Sequence, residues 1–220
     1  MQDAVVGVYG ASGFGREVMP VLREHLRPIL GGNVKTHIVF IDDNPPAEEL
    51  NGHKVLTYEE FMAFPAAERL AVVAIADAGL REKISDRLAK DFISFIHLKA
   101  SNVVVMDDVE FGIGAILCPF VTITSNVRIG NHFHANIYSY VAHDCVIGNY
   151  VTFAPNVHCN GNVHIEDYAY IGTGAILRQG TPDKPLRIGK GAVVGMGAVV
   201  TKDVPAGVTV VGNPARPLQK

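Results

Sequence analysis

From residue 105 an apolar side chain returns at every sixth position: Val105, Phe111, Leu117, Ile123, Ile129, Ala135, Val141, Ile147, Phe153, Cys159, Ile165, Ile171 and Leu177. A helix repeats its face every 3.6 residues and a strand every two, so neither alone produces this period. Two residues earlier in many hexads stands another small or apolar residue, as at Val121, Val127, Cys145, Val151, Val163, Ala169 and Ala175. The resulting in, out, in pattern is that of a very short strand. Turn-forming residues follow, as in Ile129-Gly130-Asn131, Ile147-Gly148-Asn149 and Ile188-Gly189-Lys190, where glycine is expected to permit the bend.

Each hexad is thus one strand and one turn, and three hexads close a coil of 18 residues. Successive coils then stack Ile129, Ile147 and Ile165 at a spacing of about 4.8 Å. The product is a solenoid of parallel strands. The phase slips once, between Leu177 and Ile188, where eleven residues stand in place of six. About five residues therefore leave the coil as a loop between Arg178 and Arg187, a segment holding Pro182 and Pro185.

The first hundred residues lack this period. Residues 4–9 read as a buried strand, followed by Gly10-Ala11-Ser12-Gly13-Phe14-Gly15 and a helix from Arg16 to about Leu26. A second strand, His37 to Ile41, ends in Asp42-Asp43-Asn44-Pro45, and a third, Leu70 to Ala76, precedes a helix from about Leu80 to Lys90. This alternation predicts a small Rossmann-like parallel α/β domain over residues 1–100, ahead of the solenoid over 101–220. The glycine turn puts free N–H groups at a helix start, suited to phosphate. Its glycines at 10, 13 and 15 do not follow the dinucleotide-binding spacing, and a tight turn without any ligand explains them equally well.

The chain has 220 residues, 48% of them hydrophobic and 19% charged, with a net charge of -3. Those values exclude a disordered or basic nucleic-acid-binding arm. No apolar run approaches the roughly 20 residues that span a bilayer, and the N-terminus enters a strand without a basic leader, so a cytoplasmic protein free of membrane is expected. Three cysteines without metal-type spacing fit reduced thiols.

The hexads resemble those of the hexapeptide-repeat acyltransferases, a likeness covering 101–220 that implies a left-handed coil and a trimer with active sites between neighbouring prisms. Joined to the glycine turn, they resemble over the whole chain the sugar acetyltransferases of the sialic acid O-acetyltransferase and bacillosamine-precursor N-acetyltransferase type, which include perosamine acetyltransferases. The resemblance implies an acetyl-CoA-dependent N-acetyltransferase acting on a nucleotide-linked amino sugar and needing no metal. It assigns Gly10, Ser12, Gly13, Phe14, Asp42 and Asp43 to the nucleotide.

The stretch Val141-Ala142-His143-Asp144-Cys145-Val146-Ile147-Gly148 resembles that family's catalytic segment, which makes His143 the general base and Asp144 its orienting partner. Imidazole titrates near neutral pH, as removing a proton from an attacking amine requires. One coil on lies Gly161, whose N–H the resemblance assigns to the thioester oxygen. Asn136 and Asn160 are further candidates for the sugar, although asparagine also suits β-helix turns. For CoA, the backbone at Thr173, Gly174 and Gly195 resembles the family's pantetheine strip, and Lys184, Arg187, Lys190, Lys202 and Arg216 supply charge for its phosphates. The closing Val211-Gly212-Asn213-Pro214-Ala215-Arg216-Pro217 resembles the family's terminal motif.

Three other readings compete. Transfer to a sugar hydroxyl uses the same base. A zinc hydratase of the γ-carbonic anhydrase type shares the β-helix, but among His132, His134, His143, His158 and His164 no two are 18 residues apart. A scaffold without catalysis would have no use for the His143-Asp144 pair.

Overall fold

The computed structural model describes residues 3–30 and 37–218, in two compact units, Met1–Ser101 and Asn102–Lys220. The first is built on strands β1 (Ala4–Tyr9), β2 (Ile38–Ile41), β3 (Glu49–Leu50), β4 (His53–Leu56), β5 (Glu68–Val73) and β6 (Ser94–Phe95), in the order β3-β4-β2-β1-β5-β6. All neighbours are parallel except β3 and β4. Among the described residues the unit carries helices α1 (Gly13–Leu30), α2 (Tyr58–Ala63) and α3 (Ala78–Lys90).

Every residue of β1 and β2 is buried, as central parallel strands require. Val5, Tyr9, Val39, Ile41, Ala71 and Val73 form one core cluster with Tyr58 and Phe61 of α2 and Ile84 and Leu88 of α3. Helix α1 begins and ends beyond the predicted 16–26, passing Pro20 and Pro28, and β5 starts two residues before the predicted Leu70. Helix α2 was not predicted, yet Thr57-Tyr58-Glu59-Glu60 carries the signal: Thr57 caps Glu60 N–H and the Glu60 carboxylate accepts from Thr57 N–H, a reciprocal capping box.

The second unit is a left-handed parallel β-helix. Its strands are two or three residues long and, apart from the terminal Arg216–Pro217, which is antiparallel, pair in parallel with the strand one coil on, so Phe111, Ile129, Ile147, Ile165 and Ile188 form one column. The last step spans 23 residues instead of 18, the expected extra five. The chain turns back at Thr181–Lys184, and Leu186–Ile188 rejoins the stack. The hexad residues from Leu117 to Leu177 are all buried, whereas Val105 and Phe111, in the first coil, are only partly so.

The corners are made differently from the expectation. Gly130, Gly148 and Gly189 have ordinary φ, and the left-handed residue falls two positions later, at His132, Tyr150 and Gly191. What demands glycine at 130 is the next coil: a Cβ there would lie 2.7 Å from Asn149 Oδ1 and from the Gly148 carbonyl carbon. The side chains responsible form a ladder, with Asn131, Asn149 and Asp167 accepting from Ile113, Asn131 and Asn149 N–H at 3.0, 2.9 and 2.7 Å. Non-glycine corners hold Asp, Asn, His, Tyr or Phe at φ near +60°, as at Asp108, Asn126, Asp144 and Asn162. Asn and Asp tolerate this conformation, and stacking of His132, Tyr150 and Tyr168 compensates where the ring is large.

Candidate active site

The chain leaves the strand Tyr140–Val141 through Ala142, turns at His143 and Asp144, and returns inward at Cys145, which is fully buried. Asp144 is the left-handed corner residue, at φ 58°, and its N–H donates to the Ser125 carbonyl one coil back at 3.2 Å. The His143 carbonyl accepts from Asn162 N–H at 3.0 Å, and the Cys145 thiol donates to the Asn160 carbonyl at 3.2 Å. The backbone beneath the imidazole is therefore tied to the coils on both sides.

The His143 and Asp144 side chains are each about half exposed and join through Nδ1 and Oδ2 at 2.7 Å. That bond fixes the proton on Nδ1 when the ring is neutral and turns Nε2 to the acceptor role. The His143 bond, and after it the 3.2 Å bond from Asn126 Nδ2 to Asp144 Oδ1, hold the Asp144 carboxyl below its ordinary value. Asp144 thus stays ionised and able to stabilise an imidazolium. The ring lies against Gly161, where a Cβ would stand 2.5 Å from both Cε1 and Nε2. Glycine at 161 is what makes room for the imidazole.

Asn160 was a candidate for the sugar, but its amide is occupied in the coil: Oδ1 accepts from the Tyr140 hydroxyl at 2.9 Å and Nδ2 donates to the Leu177 carbonyl at 2.7 Å. Asn136 Oδ1 accepts from Ile137 N–H at 2.7 Å. Thr173 accepts through its carbonyl from Gly197 N–H at 2.8 Å. Gly174, at φ 68°, has open space where a Cβ would point, whereas Gly195 is closed over by Val211. Lys190 Nζ lies 5.2 Å from the centre of the Tyr168 ring, Arg187 N–H donates to Asp203 at 3.0 Å, and Lys184 N–H donates to the Thr181 hydroxyl at 3.1 Å. Arg216 closes the terminal hairpin with Val211 and, together with Lys202, lines a cleft of about 140 Å³.

In the first unit a second cleft, of about 360 Å³, lies at the carboxyl ends of β1 and β2, lined by Ala11, Ser12, Arg16, Asp42, Asn44, Pro46 and Leu50. Ligands of open α/β sheets bind outside such strand ends. Gly10, at φ 106°, makes the turn, and α1 begins at Gly13, followed by the partly buried Phe14. Gly15 is packed directly against the Gly10 carbonyl, so no side chain fits there. Asp42 organises the rim, accepting from Ala11 and Asn44 N–H, each at 3.0 Å.

Asp43 faces a different network. It accepts from the Tyr9 hydroxyl at 2.7 Å and pairs with Arg87 at 3.0 Å, while the Arg87 guanidinium lies 4.1 Å from the centre of the Tyr58 ring. Partial burial, then Glu59 and Asp42, push the Asp43 carboxyl up, against the pull of Arg87. Among the described residues no three His, Cys, Asp or Glu side chains converge as metal ligands, and no helix is long and apolar enough to cross a membrane.

Residues 6–88 match the PglD N-terminal domain family. The fold is shared by WeeI from Acinetobacter baumannii AYE, 60% identical with a TM-score of 0.94, over 98% of this chain and 100% of that one. It is shared too by the acetyltransferase domain of PglB from Neisseria gonorrhoeae FA1090, solved with acetyl coenzyme A, 26% identical with a TM-score of 0.85, over 99% of this chain and 100% of that one. These likenesses, which run over nearly the whole chain, make the protein an acetyltransferase. Over 214 residues, 97% of its length, it is 49% identical to the GDP-perosamine N-acetyltransferase of Escherichia coli O157:H7, covering 96% of that protein. The chain belongs to that family.

Proposed function

We propose that the protein transfers the acetyl group of acetyl-CoA to the amino group of a nucleotide-linked 4-amino-dideoxy sugar such as GDP-perosamine, in the cytoplasm, for surface polysaccharide or glycan synthesis. The observation that carries this reading is the 2.7 Å bond from His143 Nδ1 to Asp144 above Gly161, in a chain 49% identical to a GDP-perosamine N-acetyltransferase. With Nδ1–H held by the carboxylate, Nε2 accepts the proton that the amine sheds as its nitrogen bonds to the thioester carbon. Asp144 stabilises the resulting imidazolium. The tetrahedral oxyanion draws on the Gly161 N–H. Its collapse breaks the carbon–sulfur bond, and the imidazolium proton goes to the departing CoA thiolate.

The pantetheine arm follows the backbone at Thr173, Gly174 and Gly195, with Lys184, Arg187, Lys190 and Arg216 for the phosphates. Open space at Gly174 supports that path. The nucleotide binds in the cleft of the first unit, where Gly10, Ser12, Gly13, Phe14 and Asp42 form the turn and rim. Asp43 supports it from behind, since its carboxylate is engaged by Tyr9 and Arg87. Asn136 lies on the sugar side, and Asn160 acts by holding Tyr140. The hexapeptide-repeat coils assemble as a homotrimer whose grooves between neighbours receive both substrates, with neither metal nor nucleic acid required.

Release of CoA thiol from acetyl-CoA across a panel of nucleotide-linked sugars tests the reading. Turnover is expected with amino sugars only, and His143→Ala is expected to lose most of it. Turnover on hydroxyl acceptors with silence across the amines would reassign the enzyme as an O-acetyltransferase.

A further inference from the structure

We propose that Asn126 is a positioning residue for the acetyl transfer, clamping Asp144 from the preceding coil so that its other oxygen stays on His143. Asn126 and Asp144 are 18 residues apart and occupy the same left-handed corner in successive coils, at φ 60° and 58°. Asn126 Nδ2 donates to Asp144 Oδ1 at 3.2 Å while Oδ2 holds Nδ1 of His143 at 2.7 Å. Each carboxylate oxygen thus has one partner, one on either side of the corner.

A carboxylate on a half-exposed corner is otherwise free to turn about its side-chain bonds, and the orienting bond to the imidazole would be shared among rotamers. The Asn126 amide removes that freedom. The same bond adds to the forces holding Asp144 ionised. Asn126 is itself fixed, its N–H donating to the Asp107 carbonyl one coil back at 3.1 Å. The alternative is that asparagine stands there only because the corner requires a left-handed residue. Glycine and aspartate accept that conformation as well, so the two roles separate experimentally.

The inference rests on the proposed role of His143, and its test has an arm that needs no turnover. In the full-length enzyme, Asn126→Gly is expected to lower kcat about five-fold, the net worth of an ordinary hydrogen bond, because solvent screens the charge at this half-exposed corner. Asn126→Asp, which sets a second carboxylate against Asp144, is expected to lower it further. The KM for either substrate and the thermal midpoint are expected to stay close to wild type. In an Asp144→Asn background the Asn126→Gly loss is expected to vanish, because residues acting through one another are not additive.

A crystal structure of Asn126→Gly is expected to show Asp144 in more than one rotamer, or its contact with His143 stretched past about 3.5 Å. A single rotamer with an unaltered contact, kcat within two-fold of wild type in both variants, or a loss that persists undiminished in Asp144→Asn would overturn the proposal. If the wild type does not turn over, the functional reading has failed and the crystallographic arm still decides the clamp.

Discussion

Replacing Gly161 by alanine adds one methyl group at the point where the structure leaves no room for it. The new Cβ would stand 2.5 Å from Cε1 and Nε2 of His143 and 3.0 Å from Nδ1, where carbon contacts settle at about 3.5–4.0 Å. The ring must therefore retreat by about 1 Å or more, since Gly161 is held in the stack by Gly180 N–H donating to its carbonyl at 2.9 Å. A displacement of that size at the proposed base costs roughly 100-fold in rate, about 2.7 kcal/mol of barrier.

The half-exposed imidazole can swing outward, so the fold has an escape that the chemistry does not. Thiol release should accordingly show kcat down by about two orders of magnitude while the thermal midpoint moves by only a few degrees. Gly79→Ala is the control: its Cβ would meet only Asp77 Oδ1, at an ordinary 3.6 Å, so alanine there should leave kcat unchanged. A Gly161→Ala enzyme within two-fold of wild-type kcat would refute the close packing of ring on glycine.

Asp42→Ala removes the acceptor for Ala11 and Asn44 N–H at the rim of the cleft, and initial-rate kinetics should show KM for the nucleotide sugar raised about ten-fold with KM for acetyl-CoA unchanged. Because the folded state holds the Asp144 carboxyl below 3.8, its stabilising contribution is present above that pH and lost as the pH falls through the lower folded value; urea midpoints for wild type and Asp144→Asn should differ near pH 5 and converge in stronger acid. Cys118, Cys145 and Cys159 are buried thiols, and the hydrogen bond with Cys145, together with burial, raises the Cys159 thiol, so a colorimetric thiol reagent should react only after denaturation.

The β-helix was legible because its core is written locally. One inward residue per hexad is enough to give the coil length, the column of Ile129, Ile147 and Ile165, and the five-residue excursion before Ile188. His143, Asp144 and Gly161 could be brought together from sequence by the same counting. The reason for the glycines at 130, 148 and 189 was not legible, since it lies in the neighbouring coil and not in their own turn. The positive-φ corners were hidden likewise, because stacking between coils lets His132, Tyr150 and Tyr168 occupy them where a local rule calls for glycine or asparagine.

In the first unit the alternation of strand and helix was readable, while the fates of Asp42 and Asp43 were not. Adjacent in sequence, they serve the cleft rim and the Tyr9–Arg87 network respectively, and only the position of α3 separates them. The 18-residue period leads from Asp144 straight to Asn126, but nothing local distinguishes an asparagine that holds a carboxylate from one that only makes a left-handed corner.

In the proposed reaction an acetyl group passes from sulfur to a sugar nitrogen with His143 as base. Incubating the purified protein with GDP-perosamine and acetyl-CoA carrying ¹³C in the acetyl group, then locating the label by NMR, tests it most directly. The label is expected in an amide on the sugar nitrogen, with one CoA thiol freed per amide and little of either from His143→Ala. Label found in free acetate or in an ester, or an undiminished rate in His143→Ala, would contradict it.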